Sequence, residues 1–101
     1  MVQMTKKELF NAKNNGQKIE DGLHIQCVSA GTFEDKDKDG NPVTVTALAD
    51  KSGQIYTSIS ATVADSVDML IDILEEDGEV EIVVHKNVSN GGREFFQLSV
   101  I

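Results

Sequence analysis

One switch in hydrophobic period constrains this chain more than any other feature. From Gly22 to Ser60 apolar residues recur at every second position in three short runs, between Thr62 and Asp77 they take helical spacing, and from Val80 the period of two returns for two more runs. A period of two sends alternate side chains to opposite faces, so each run reads as a strand with one face toward a core. Leu23, Ile25 and Cys27 open the first strand, whose pattern blurs from Val28 to Phe33, where Gly31 predicts a bend. After the turn residues Asp39 to Pro42, a second strand alternates Val43, Val45 and Ala47 with Thr44, Thr46 and Leu48. After Asp50 to Gly53, a third alternates Ile55, Thr57 and Ile59 with Tyr56 and Ser58. Val80, Ile82 and Val84, then Phe96, Leu98 and Val100, are the expected inward residues of the last two.

The helical segment carries its apolar stripe at Val63, Val67, Leu70, Ile71 and Leu74, with Asp65, Asp68, Asp72 and Glu76 opposite. Thr62 and Asp65 have the spacing of an N-terminal cap, and Gly78 stands where a helix would end. A shorter helix is predicted over residues 5–14, because Thr5 and Glu8 have capping-box spacing and Asn14, Asn15 and Gly16 close it. With Leu9 and Phe10 as its main apolar side chains, that helix must dock on the rest of the chain to persist.

Three strands, a helix and two strands is the connectivity of the OB-fold, a five-stranded Greek-key barrel with its helix between strands 3 and 4. The fold class expected is therefore mainly β with helices, although a β-grasp or an α+β sandwich could use the same elements. At 101 residues, 40% of them hydrophobic, the chain can bury one core, so a single domain is expected, with the short helix at 5–14 and the barrel at 22–101. No apolar run is long enough for a membrane span, and Met1 to Lys7 lacks the apolar stretch of a secretory signal, which points to a soluble protein of the cytoplasm. Cys27 is the one cysteine and sits in an apolar alternation, so it reads as a small core residue. No carboxylate pair, metal cluster or nucleophile-base spacing stands out, and neither an enzyme nor a cofactor is expected.

The net charge of -8 argues at first against a polyanionic ligand. Its distribution changes that argument. Eight of the 17 acids lie between Asp65 and Glu81, a stretch without Lys or Arg, and the rest of the chain balances nine acids with nine bases. On the barrel reading, the solvent side of the sheet shows His24, Gln26, Thr44, Thr46, Tyr56, Ser58, His85, Phe95 and Gln97. Tyr56 and Phe95 are outward by alternation and would offer surfaces on which bases stack, worth about 1–3 kcal/mol each; alternatively Phe95 tucks beneath the N-terminal helix beside Phe10. The flanking loops, Glu34 to Asn41 and Lys86 to Arg93, hold Lys36, Lys38, Lys86 and Arg93 as candidate phosphate contacts. In the first loop Asp35, Asp37, Asp39 and Gly40 have the spacing of a calcium loop, but Pro42 stands at the eighth position in place of a branched aliphatic residue and Thr46 at the twelfth in place of a bidentate acid. The carboxylates Glu75, Glu76 and Asp77 crowd the negative end of the helix dipole, each disfavoured by about 0.3–1 kcal/mol. They either confer solubility or present helix 62–77 to a basic, DNA-handling protein, as an inhibitor or DNA mimic would.

In layout the chain resembles the small OB-fold single-stranded DNA-binding proteins of phages and mobile elements. The likeness runs from Gly22 to Ile101 and rests on the hairpin Phe33 to Pro42, the strand start Gly53-Gln54-Ile55-Tyr56, the acidic amphipathic helix and the closing Gly92-Arg93-Glu94-Phe95-Phe96-Gln97-Leu98. The resemblance implies sequence-tolerant binding of single-stranded DNA in replication or recombination, in the cytoplasm of a host cell. Tyr56 and Phe95 would then stack bases, Lys86 and Arg93 would contact phosphates, and assembly into a homo-oligomer is compatible with it.

Overall fold

The computed structural model describes residues 4–101. The chain runs α1 (Lys6–Asn15), β1 (Gln17–Lys18), β2 (His24–Lys36), β3 (Pro42–Asp50), β4 (Ile55–Ser58), α2 (Ala61–Asp65), α3 (Val67–Asp77), β5 (Val80–Val88) and β6 (Glu94–Val100). The strands form one curled sheet in the order β1-β4-β3-β2-β5-β6. Every pairing is antiparallel except that of β1 with β4. The fold is mainly β and OB-like: the long β2 pairs with β3 along one half and with β5 along the other. Six strands replace the expected five, because Gln17 and Lys18 add beside Tyr56 and Thr57 in a pairing too short to leave a periodic signal. Just after β4, the Ser60 hydroxyl donates to the Phe96 carbonyl of β6 at 3.3 Å, and α2 packs on β6.

The inner face of the sheet wraps around α3. Ile25, Cys27 and Ala30 of β2, Leu48 of β3, and Val80, Ile82 and Val84 of β5 pack with Val63, Val67, Leu70 and Leu74 from the two helices. Each fully buried aliphatic side chain of this kind stabilises by about 1.5–3 kcal/mol, so the apolar stripe and the strand alternation hold one core together. A second, smaller cluster lies on the outer face, where Met4, Leu9 and Ala12 pack on Ala47, Ala49, Phe33 and Ile55. There α1 docks: its capping box closes with Thr5 and Glu8 at 3.1 and 3.2 Å, and the Met4 N–H donates to the Ala30 carbonyl at 2.9 Å. Gly31 lets α1 come close, since a Cβ there would stand 3.2 Å from Leu9 Cδ2 and from Met4 Cβ.

Local readings change in two places. The irregularity in β2 lies between Cys27 and Ser29, not at Gly31, and the extra residue at Val28 shifts which side chains point inward. The acidic helix is broken at Ser66 into α2 and α3, with the Ser66 hydroxyl turned back onto the Thr62 carbonyl at 3.1 Å; Thr62 therefore lies inside α2 and caps nothing. Gly78 does end α3, with a positive φ of 80° that favours glycine.

Candidate nucleic-acid interface

With α1 covering the outer face of β2, β3 and β4, the uncovered part of that face belongs to β5 and β6. Register puts Asn87 opposite Phe95 and His85 opposite Gln97, and the Asn87 amide donates to Gln97 Oε1 at 2.6 Å. His24 and Gln26 extend the strip through their pairing with Val83 and Glu81, and His24 Nδ1 lies 3.0 Å from Glu81 Oε2. Phe95 is half-buried on this strip, at one edge of the sheet. Arg93 stands two residues before it, exposed, with its backbone tied to Ser89 across the hairpin and no ion pair among the described residues. The result is a polar strip with one aromatic ring and one unpaired guanidinium, a combination suited to stacking a base beside a neutralised phosphate.

Tyr56 is not on this strip. It pairs with Leu48, whose side chain is in the core, and its half-buried ring packs against the same cluster. Thr46 is fully buried, and its hydroxyl has no hydrogen-bond partner among the described residues. Thr44, Thr46, Tyr56 and Ser58 thus lie on the opposite face of the sheet from His24, Gln26, His85, Phe95 and Gln97, and the nine-residue solvent face expected from alternation divides into two sets. The physical reason is that β3 is covered on both sides: Val45 to Ala49 are all buried, so alternation does not say which side faces the larger core. Nor does Phe95 lie beneath α1, where Phe33 packs instead.

The four candidate cations are also separated. Lys36 pairs with Pro42 at one end of β2, whereas the β5–β6 hairpin runs out past the other end, beyond the pairing of His24 with Val83. Lys86 Nζ is 2.8 Å from Glu94 Oε2, and this bond to Glu94 raises its pKa above the ordinary lysine value. Lys36 and Lys38 form no ion pair among the described residues. In their hairpin, Asp37 Oδ1 accepts the N–H groups of Asp39 and Asn41, each at 2.9 Å, and Asp35 Oδ1 accepts that of Lys36. These carboxylates fasten the turn, and no group of three His, Cys, Asp or Glu able to hold a metal ion forms among the described residues. Burial pushes the Cys27 thiol up to about 11, so it is protonated at neutral pH and donates to the Ser29 carbonyl.

The chain matches the phi29-type family described as phage single-stranded DNA-binding protein over residues 3–101. It belongs to that family. Curated relatives include a single-stranded DNA-binding protein of Bacillus phage B103, 30% identical over 93% of this chain and 84% of that protein. Another, of Bacillus phage PZA, is 29% identical over 92% of this chain and 82% of that protein. No solved structure matches the chain. As a member of this family the chain retains an unusual charge problem, because the expected ligand of such proteins is a polyanion and the net charge is -8. Folding eases the conflict: the acids Asp65, Asp68, Asp72 and Glu76 ride on helices whose apolar side fills the inner face, while the polar strip with Phe95 is on the outer face. Sequence reasoning missed the Asn87–Gln97 bond, which only the pairing of β5 with β6 could reveal. It also took Phe10 for a docking residue, although Phe10 is exposed and Ala12 with Leu9 takes that role.

Proposed function

We propose that this protein binds single-stranded DNA without strong sequence preference, in replication or recombination, through the outer face of β5 and β6. Membership of the family across nearly the whole chain carries the reading, and the polar strip left uncovered by α1 supports where binding occurs. Phe95 stacks a base and Arg93 contacts a phosphate; Lys86, in phase with Val84 on the inner side of the hairpin, is held by Glu94 and reaches DNA only once that bond is removed, and Lys36 and Lys38 meet the strand where it passes the far hairpin. Tyr56 acts at the edge of the core, where its ring supports the sheet from beneath. The protein works by coating DNA rather than by catalysis, in the cytoplasm of a phage-infected cell; no helix among the described residues is long and apolar enough to cross a membrane. The outer side of α3, where Met69 is 71% exposed among Asp65, Asp68 and Asp72, is where a basic DNA-handling partner would dock.

The test is fluorescence anisotropy of labelled oligo-dT, titrated with protein at low and high salt. Binding that weakens as salt rises supports the reading. Absence of binding at tens of micromolar protein in low salt defeats it.

A further inference from the structure

We propose that α1 carries a second contact for single-stranded DNA, with the Phe10 ring stacking on a base and Lys6 and Lys7 neutralising the phosphates beside it. The proposal rests on the DNA-binding reading above and places a new site within it. Of the five aromatic residues, Phe33, Tyr56, Phe95 and Phe96 are half-buried, whereas Phe10 is 67% exposed on the side of α1 turned away from the sheet. Lys6, Lys7, Phe10 and Asn11 together line an open depression of about 370 Å³. That lies at the small end of the range of roughly 300–1,000 Å³ typical of ligand sites.

The electrostatics of the patch favour an anion. Neither Lys6 nor Lys7 forms an ion pair among the described residues. The acid between them and Phe10, Glu8, is held at the capping box by the Thr5 N–H at 3.1 Å. Two unpaired cations adjacent in sequence beside an exposed ring thus stand out on a chain of net charge -8. The helix that carries them is fixed in advance, by the capping box and by the packing of Met4, Leu9 and Ala12 on the sheet, so ordering the patch costs little on binding. It also shares the outer face with Phe95 and Arg93: α1 lies over β2 to β4, and the polar strip occupies β5 and β6. A strand that meets both runs along the sheet as well as across it, because α1 lies over Ala30 and Gly31 whereas Phe95 lies past the His24 end of β2.

The experiment compares the wild-type protein with Phe10→Ala, Phe10→Tyr, Phe10→Trp and the double variant Lys6→Gln/Lys7→Gln on labelled oligo-dT. Loss of one stacked base weakens binding about 5- to 150-fold, so Phe10→Ala should fall in that range while Phe10→Tyr keeps wild-type affinity. The double lysine variant should flatten the salt dependence by about 1.4 in log-log slope, at roughly 0.7 per phosphate on a single strand. The chain has no Trp, so Phe10→Trp supplies a sole reporter whose emission should be quenched on adding oligo-dT. Unchanged affinity, slope and emission in variants of a wild type that binds overturns the α1 contact and leaves the DNA-binding reading standing. A wild type that does not bind defeats both. If Phe10→Ala weakens binding only on strands long enough for several copies, with a one-copy oligonucleotide unaffected, the patch meets a second protein molecule and the DNA contact is overturned.

Discussion

Replacing Glu94 with Gln should make DNA binding tighter at low salt and more sensitive to salt. In the folded protein Lys86 Nζ is held 2.8 Å from Glu94 Oε2, so its charge is already balanced by a neighbour on the same hairpin. A cation in that state releases no counterion when DNA arrives; a freed one does, and each phosphate it neutralises on a single strand adds roughly 0.7 to the slope of log K against log salt. Between 50 and 200 mM salt, a fourfold change, each such contact costs about 2.6-fold in affinity. Glu94→Gln should therefore lose about 2.6-fold more affinity across that range than the wild type, and Lys86→Gln alone should leave the slope unchanged. The double variant Lys86→Gln/Glu94→Gln keeps the net charge at -8 and should restore the wild-type slope, which separates local release of Lys86 from the change in total charge. Anisotropy titrations of labelled oligo-dT at four or five salt concentrations measure all three. A slope about 0.7 shallower for Lys86→Gln would show that the pair opens on DNA, and an unchanged slope in both Glu94→Gln and Lys86→Gln would show that Lys86 does not meet the strand; either result refutes the reasoning.

Phe95→Ala should weaken oligo-dT binding by about 1–3 kcal/mol with little change in urea midpoint, because the ring lies at the sheet edge. Tyr56→Ala should do the reverse, costing about 2 kcal/mol of stability by emptying space beside Leu48; equal effects on binding would return Tyr56 to the interface. Thr46→Val should stabilise by about 1 kcal/mol in urea unfolding, since it removes a fully buried hydroxyl that has no partner, and a loss of stability would mean that the hydroxyl is hydrogen-bonded. At Asp50, desolvation opposes the charge, but hydrogen bonds from the Ser52 hydroxyl and from the backbone N–H groups of Gln54, Ser52 and Gly53 outweigh it and hold the carboxyl below the ordinary aspartate range. Its contribution is complete above the unfolded value near ~3.9 and is lost as pH falls through the lower folded value, so Asp50→Asn should flatten the acid limb of a plot of Tm against pH.

How far the sequence could be read depended on whether each signal was local. Thr5 with Glu8, the stripe Val67-Leu70-Leu74 and the closing Gly78 are local signals, and each appears in the fold where its spacing implied. The alternation of Ile25 and Cys27, and of Ile82 and Val84, was equally reliable, because those strands have one dry face and one wet face. β3 was not legible in this way. Its residues Val45 to Ala49 are dry on both sides, since Met4 and α1 cover the outer face while α2 packs on the inner one. The error then passed to β4, whose Tyr56 shares the face of Leu48. The bulge at Val28 compounds it by breaking the phase between the two halves of β2. At the candidate interface, alternation in β6 placed Phe95 outward, but only the docking of α1 on Phe33 decided against its alternative place beneath that helix. The Lys86–Glu94 bond and the exposure of Phe10 required knowing which strands pair and where α1 lies.

The charge arrangement sets a ceiling that connects these predictions. Of nine Lys and Arg side chains, Lys13, Lys51 and Lys86 are engaged with Asp35, Glu79 and Glu94, and six form no ion pair among the described residues. While those pairs hold, one molecule neutralises at most six phosphates, and the slope of log K against log salt cannot exceed about 4 in magnitude. The six do not share one surface, however. Lys6 and Lys7 are on α1, Lys18 on β1, Lys36 and Lys38 at the end of the β2–β3 hairpin, and Arg93 at the β5–β6 hairpin. A strand running obliquely over the outer face from Arg93 to Lys6 and Lys7 should give a slope near 2. A value near 4 means that the strand wraps the molecule far enough to touch both hairpins. A slope clearly steeper than 4 on an oligonucleotide that holds one copy would refute the count, since it would require the internal ion pairs to open on DNA.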